Sequence, residues 1–150
     1  MNTEVYQDIL KELSPYGARL IAVSKTRSVE DIQELYDLGQ RDFGENRIKE
    51  LNDKAILLPQ DIRWHLIGPL QSKKVKLYTS NIHLFHALDR KKIWNKLNSW
   101  AENENTVVSA LLQIHIARES SKSGFDDHEI RSLLSDGIHE DLPGVRIRGL

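Results

Sequence analysis

A (β/α)₈ TIM barrel, an α/β fold, is the class this sequence predicts, with about six of the eight strands carried by its 150 residues. Three observations predict it. Short apolar runs alternate with charged segments of helical period, and nearly every spacing between runs holds one strand, one helix and two short loops, as parallel βαβ units require. Neither a Gly-rich dinucleotide turn nor a Walker loop follows the first apolar run, where SKTRS stands instead, and this weakens the doubly wound alternative. Polar residues also collect at the C-terminal ends of several runs: Lys25, Glu45 with Asn46, Gln71 with Ser72, and residues 121–123. Barrels place their functional groups at those ends.

The elements follow in order. A helix over Thr3–Leu13 turns Val5, Ile9, Leu10 and Leu13 inward, and a strand at residues 19–24 follows it. Ser28 with Asp31 forms a capping-box start to a helix burying Val29, Ile32, Leu35 and Tyr36, and Gly39 suits its left-handed end. Strands are expected at 42–44, 64–68 and 84–88. Asp89 is placed to cap a helix whose Ile93, Leu97, Trp100 and Ala101 share one stripe. A strand at 107–116 precedes a helix opened by Asp126 and Glu129, carrying Ile130, Leu133 and Leu134, and stopped by Gly137. The sixth strand spans 145–150.

Composition narrows function. Lys and Arg number 21 against 22 Asp and Glu, so no global field draws the chain to nucleic acid or an acidic membrane. The absence of cysteine excludes disulfides, thiolate metal sites and a cysteine nucleophile. The polar, amphipathic start MNTEVYQDILKEL lacks the apolar run of a signal peptide, and no stretch approaches a membrane span. A cytoplasmic protein is expected. Lys73, Lys74 and Lys76 read as a wet helix face. His83 and His86 stand three apart on an expected strand, so their side chains should leave on opposite faces and share no metal.

Lys25 carries the chemistry. A lysine closing an apolar strand has a partly desolvated ammonium, and desolvation frees the amine to attack an aldehyde. The alternative is a lysine whose stem lies on apolar surface while its head stays in water.

The segments LIAVSKTR (20–27), FGEN (43–46), WHLIGPLQSKK (64–74), SKSGF (121–125) and RGL (148–150) resemble, in order and spacing, the motifs of the pyridoxal-phosphate homeostasis proteins. The resemblance implies a single-domain barrel similar to the N-terminal domain of alanine racemase. It implies a protein that binds pyridoxal 5′-phosphate (PLP), has no established turnover, and buffers the cofactor or delivers it to PLP-dependent apoenzymes in vitamin B6 homeostasis. Residue by residue, Lys25 falls on the Schiff-base lysine and Asn46 on an amide that helps hold the cofactor. His65 falls in the third-strand motif, near the ring or as a satisfied core histidine, and Lys122 falls on a second lysine able to receive the aldehyde. Asn46 equally suits a helix N-cap. His115 and Lys73 stand where the family more often has asparagine.

In the family the last two strands supply the phosphate-binding amides and an arginine facing the pyridine nitrogen. Residues 1–150 are therefore expected to form one domain incomplete at its C-terminus, monomeric when complete but prone to self-association and weak in PLP binding as supplied. Two other classes stand beside this reading: the barrel portion of a PLP-dependent amino-acid racemase or decarboxylase, and a barrel-like fragment that holds no cofactor.

Overall fold

The structure, a computed structural model, is described for residues 3–79, 81–116, 123–137 and 141–150. Six parallel strands form one sheet: β1 (Ala22–Val23), β2 (Asp42–Glu45), β3 (Arg63–Leu66), β4 (Ile82–Leu88), β5 (Val108–Leu112) and β6 (Val145–Gly149). The helices are α1 (Thr3–Leu13), α2 (Val29–Asp37), α3 (Ile48–Ala55), α4 (Lys91–Asn103) and α5 (Asp127–Ser135). Spatial order follows sequence order from β1 to β6. A doubly wound sheet reverses its order at a switch point. An order that never reverses, with crossovers of one hand, stacks the connecting helices on one face and is the wall of an α/β barrel.

The core lies between that face and the helices. Phe43, Trp64, Leu66, Phe85, Ala110 and Leu112 of the strands pack with Ile32, Leu51, Trp94, Leu97 and Ile130 of the helices. Both capping boxes form as the sequence predicts. Ser28 accepts from the Asp31 N–H and Asp126 from the Glu129 N–H, each reciprocated by the acid at the third position. Gly39 and Gly137, with φ of 102° and 70°, end α2 and α5.

Four local expectations are corrected. Asp89 does not cap α4: Arg90 is the N-cap residue and makes no side-chain cap bond. Asp89 is instead buried at the end of β4, where its Oδ2 accepts from Arg90 at 2.8 Å and from the Ser123 hydroxyl at 3.3 Å. Asn46 does not cap α3, whose N-cap residue is Arg47. On α1 the inward residue is Tyr6, whose hydroxyl donates to Gln40 at 3.2 Å, while Val5 and Ile9 are exposed. The fifth strand stops at Leu112, followed by one bridge from Ile114 to Phe125. That bridge needs Gly124, at φ 118°, because a Cβ there would fall 2.8 Å from the His115 nitrogen.

The pleat of β4 departs furthest from a regular strand. Ile82, Phe85 and Leu88 are spaced by three, yet all are buried in the one core. Two register shifts permit this, one opposite Trp64/His65 and one between Phe85 and Leu88. The same shifts put His83 and His86 together on the inner face, both against the His65 ring at centroid distances of 5.4 and 5.1 Å. The expectation that they leave on opposite faces is thus overturned, because strict alternation holds only for an unbulged strand.

Where β2 and β3 end, Gly68 lies against the backbone of Asn46, and an added Cβ would collide with the Asn46 carbonyl oxygen. Gly68→Ala should therefore force the two strand ends apart and cost about 2 kcal/mol. Ser28→Ala, which removes only a cap, should cost about 1 kcal/mol. Urea denaturation of both variants checks the ranking, and equal losses would show that the close approach is not a constraint.

Candidate functional site

Lys25 and Asn46 follow the C-terminal ends of the neighbouring strands β1 and β2. Val23 pairs with Gly44, and the ladder continues with the Ser24 N–H donating to the Gly44 carbonyl at 3.0 Å. Lys25 and Asn46 each stand two residues beyond the last registered pair. Lys25 is exposed, where the apolar run predicts partial burial. Its backbone, by contrast, is held on both sides.

The holding groups come from β2 and α3. The Lys54 ammonium donates to the Ser24 carbonyl, to Glu45 Oε1 and to Glu50 Oε1, each at 2.8 Å. Glu45 Oε1 also accepts from the Ser24 hydroxyl at 2.7 Å. Glu50 Oε1 accepts from the Thr26 N–H, again at 2.7 Å. One buried ammonium and two carboxylates therefore clamp the residue before Lys25 and the residue after it. Thr26 is fixed at φ 63°, a left-handed conformation that a threonine rarely adopts. That strain is tolerable because the Glu50 bond over-determines it.

The electrostatics follow from the geometry. Burial alone would lower the Lys54 pKa, but the hydrogen bonds and charges of Glu45 and Glu50 outweigh it and raise the pKa above its usual value. Glu50 is held below the carboxylate range by Lys54 first and by the Thr26 amide second. Glu45 is completely buried, and its Oε2 has no hydrogen-bond partner among the described residues. Removing Lys54 would strand that carboxylate, and broken buried pairs are costly for this reason.

Asn46 is half-buried and lines a small pocket of about 190 Å³ with Arg47, Leu66, Pro69, Gln71 and Lys74. An adjoining depression is lined by Arg47, Lys49 and Lys74 together with the carboxylates of Glu50 and Asp53. The strand ends thus offer a primary amine, a carboxamide and several cations. That donor set fits a small aldehyde bearing an anionic group.

His65 lies elsewhere. It sits on β3 opposite Gly44, and both of its ring nitrogens are engaged within the sheet: Nε2 with Asp42 Oδ1 at 3.0 Å and Nδ1 with His86 Nε2 at 2.9 Å. Burial would raise the Asp42 pKa, yet hydrogen bonds from Arg63 and His65 bring it down to about 2. An ionised Asp42 only accepts, so His65 carries its proton on Nε2, and Nδ1 accepts from His86. Burial, outweighing the pull of Asp42, lowers the pKa of His65 and keeps it neutral. Burial likewise lowers that of His86. The geometry gives His65 the part of a satisfied core histidine. Lys122, the fourth residue singled out from the sequence, lies outside the described residues.

Sequence reasoning missed Glu50 and Lys54. Spaced four apart on a helix, a glutamate and a lysine ordinarily read as an exposed surface pair. The available signal was Glu45, a carboxylate at the end of an apolar strand that needs a buried partner.

No family model matches the chain. A pyridoxal phosphate homeostasis protein of Pasteurella multocida is 41% identical over 137 residues, covering 89% of this chain and 58% of that protein. One from Synechocystis is 40% identical over 148 residues, covering 97% and 66%. The chain spans about three fifths of the length of the curated relatives it matches. Among solved structures, PipY of Synechococcus elongatus without PLP matches with a TM-score of 0.86 at 33% identity, over 96% of this chain and 67% of PipY. PipY with PLP bound matches at 0.84, also with 33% identity over 96% of this chain and 66% of that one. Alanine racemase of Bartonella henselae, with covalently bound PLP, matches at 0.73 with 18% identity over 95% of this chain and 39% of the racemase, a likeness of fold alone. Matched to PipY in backbone and in sequence over two thirds of its length, the chain belongs to the family of the pyridoxal phosphate homeostasis proteins.

Proposed function

We propose that the protein binds PLP at the C-terminal ends of its parallel strands, holds it as a Schiff base on Lys25, and buffers or delivers it without turning over an amino-acid substrate. The observation that carries this reading is the clamp around Lys25. Lys54 and Glu50 immobilise the backbone on either side of an exposed amine, which presents a nucleophile at a fixed place while leaving it reachable. Asn46, just beyond the end of the neighbouring strand, would hold the cofactor's polar substituents, and the cations at Arg47 and Lys74 suit an anionic phosphate. The names of the curated relatives and the PLP-bound PipY support the choice of cofactor.

Bound PLP supplies an aldehyde and an electron-withdrawing ring. What the protein adds decides between carrier and enzyme. Turnover needs an acid or base within reach of the reacting atoms. Glu45 and Glu50, the carboxylates bonded to the residues flanking Lys25, are both bound to Lys54, so neither is free to move a proton. Cofactor holding is the work this arrangement suits. Among the described residues, no helix is long and apolar enough to cross a membrane.

Two outcomes are expected. Addition of PLP should turn the protein yellow, and borohydride reduction with peptide mapping should place the pyridoxyl group on Lys25. Lys25→Ala should abolish the colour with an unchanged circular dichroism spectrum, because the side chain is exposed. A label on Lys122 alone would remove Lys25 from the role. Sustained amino-acid turnover abolished by Lys25→Ala would move the protein to the enzyme class.

The second outcome tests the clamp. Lys54→Met should destabilise the fold by about 3 kcal/mol by leaving Glu45 buried and uncompensated. Glu45→Gln combined with Lys54→Met should recover part of that loss. Chemical denaturation reads both changes, and a Lys54→Met variant as stable as the parent would show that the ion pair does not secure β1.

A further inference from the structure

From the N-terminal ends of β2 to β4 inward to His65 runs a second cluster, independent of the cofactor reading. Asp42 begins β2, Arg63 begins β3, and His83 is the second residue of β4. One ligand atom each from Asp42, His65 and His83 lies within 4.8 Å of the other two. The cluster exists because the irregular pleat of β4 turns His83 and His86 together toward His65. We propose that Asp42, His65 and His83 form a binding site for one divalent transition-metal ion of the zinc class.

The chemistry fits that class. Two imidazoles and one carboxylate, with no thiolate, suit zinc, cobalt, nickel or copper better than the hard ions calcium and magnesium. Two donors bound to a tetrahedral ion at ~2.0–2.1 Å are roughly 3.3 Å apart. Asp42 Oδ1 and His65 Nε2 already stand 3.0 Å apart, so an ion replacing the shared proton needs little movement there.

The atoms behind the ligands are also in place. With Nε2 on the ion, His65 would carry its proton on Nδ1 and donate it to His86 Nε2, which already sits 2.9 Å away. Asp42 Oδ2 accepts from Arg63 Nη2. Metal-binding histidines and carboxylates are oriented by this kind of outer hydrogen bond. His83 is exposed and, with Arg63, Trp64 and Asn81, lines a cleft of about 720 Å³, so the cluster is open to solvent on the His83 side. A fourth position is left for water. Arg63 opposes binding, because its Nε also donates to Asp42 Oδ1 at 2.7 Å. The ion must displace that bond and sit beside a guanidinium.

The test titrates the 150-residue chain with Zn²⁺ by calorimetry and with Co²⁺ by visible absorption. One ion per chain is expected, with the intense cobalt absorption of a four- or five-coordinate site in place of the weak band of the aqua ion. His83→Ala, which removes a direct ligand, should weaken Zn²⁺ binding by at least the roughly 100-fold that losing an outer partner can cost, without loss of fold, since the side chain is exposed. His128→Ala, an exposed histidine of α5, should change nothing. Arg63→Gln should tighten binding by about tenfold by removing the competing charge. Lys25→Ala should leave the metal affinity unchanged, which separates this site from the cofactor reading. The proposal is overturned if His83→Ala binds as the parent does, if His128→Ala loses as much as His83→Ala, or if the cobalt spectrum stays that of the aqua ion.

Discussion

The Lys54 ammonium is the group on which the working end of the sheet depends. It reaches from α3 across to β1 and joins the Ser24 carbonyl, Glu45 and Glu50 in one bonded set. β1 needs this help, since only two of its residues pair with β2 in regular register. Without Lys54, Glu45 would be a buried carboxylate with the Ser24 hydroxyl but no counter-charge, and the Glu50 acceptor that offsets the left-handed backbone of Thr26 would lose its anchor. Lys25 lies between those constraints. Position and reach are thus divided: the clamp supplies the first, and the free lysine side chain supplies the second.

A second constraint acts on the inner face. Aligning β4 with both neighbours while burying Ile82, Phe85 and Leu88 requires two register shifts. Each shift re-aims a side chain. The result is three histidine rings and one aspartate in contact along β2, β3 and β4. Asp42 and Arg63 make the cluster electrically tolerable, because a buried carboxylate with a guanidinium on it needs no further proton. The sheet therefore carries two polar centres, the clamp around Lys25 beyond the C-terminal ends of β1 and β2 and the histidine cluster along β3 and β4.

The family match and the fold agree on the wall of an α/β barrel. The sequential strand order excludes a doubly wound sheet on topology alone. Likeness to alanine racemase at 18% identity adds the same fold and nothing about chemistry. The functional reading rests instead on the clamp around Lys25 and on relatives that share about two residues in five with this chain.

How much was legible in the residues alone follows from the range of each interaction. Local features were readable: the βα alternation, the capping boxes at Ser28 and Asp126, the left-handed glycines at 39 and 137, and Lys25 and Asn46 at neighbouring strand ends. Each depends on residues within a few positions of one another, or on a repeat that parallel pairing turns directly into register. Glu50 and Lys54 looked like a surface pair, because nothing local says that Ser24, thirty residues away, will lie over them. Asp89 and Asn46 looked like caps, because burial at a strand end and the start of α3 one residue later are decided by packing. His83 and His86 looked like opposite faces, because a bulge is set by both neighbouring strands at once. The sequence by itself determined the elements, their order and the lysine at the first strand end. Tertiary structure alone decided which charges are buried together and which histidines meet, because those pairings cost or return energy only when distant segments exclude water from between them.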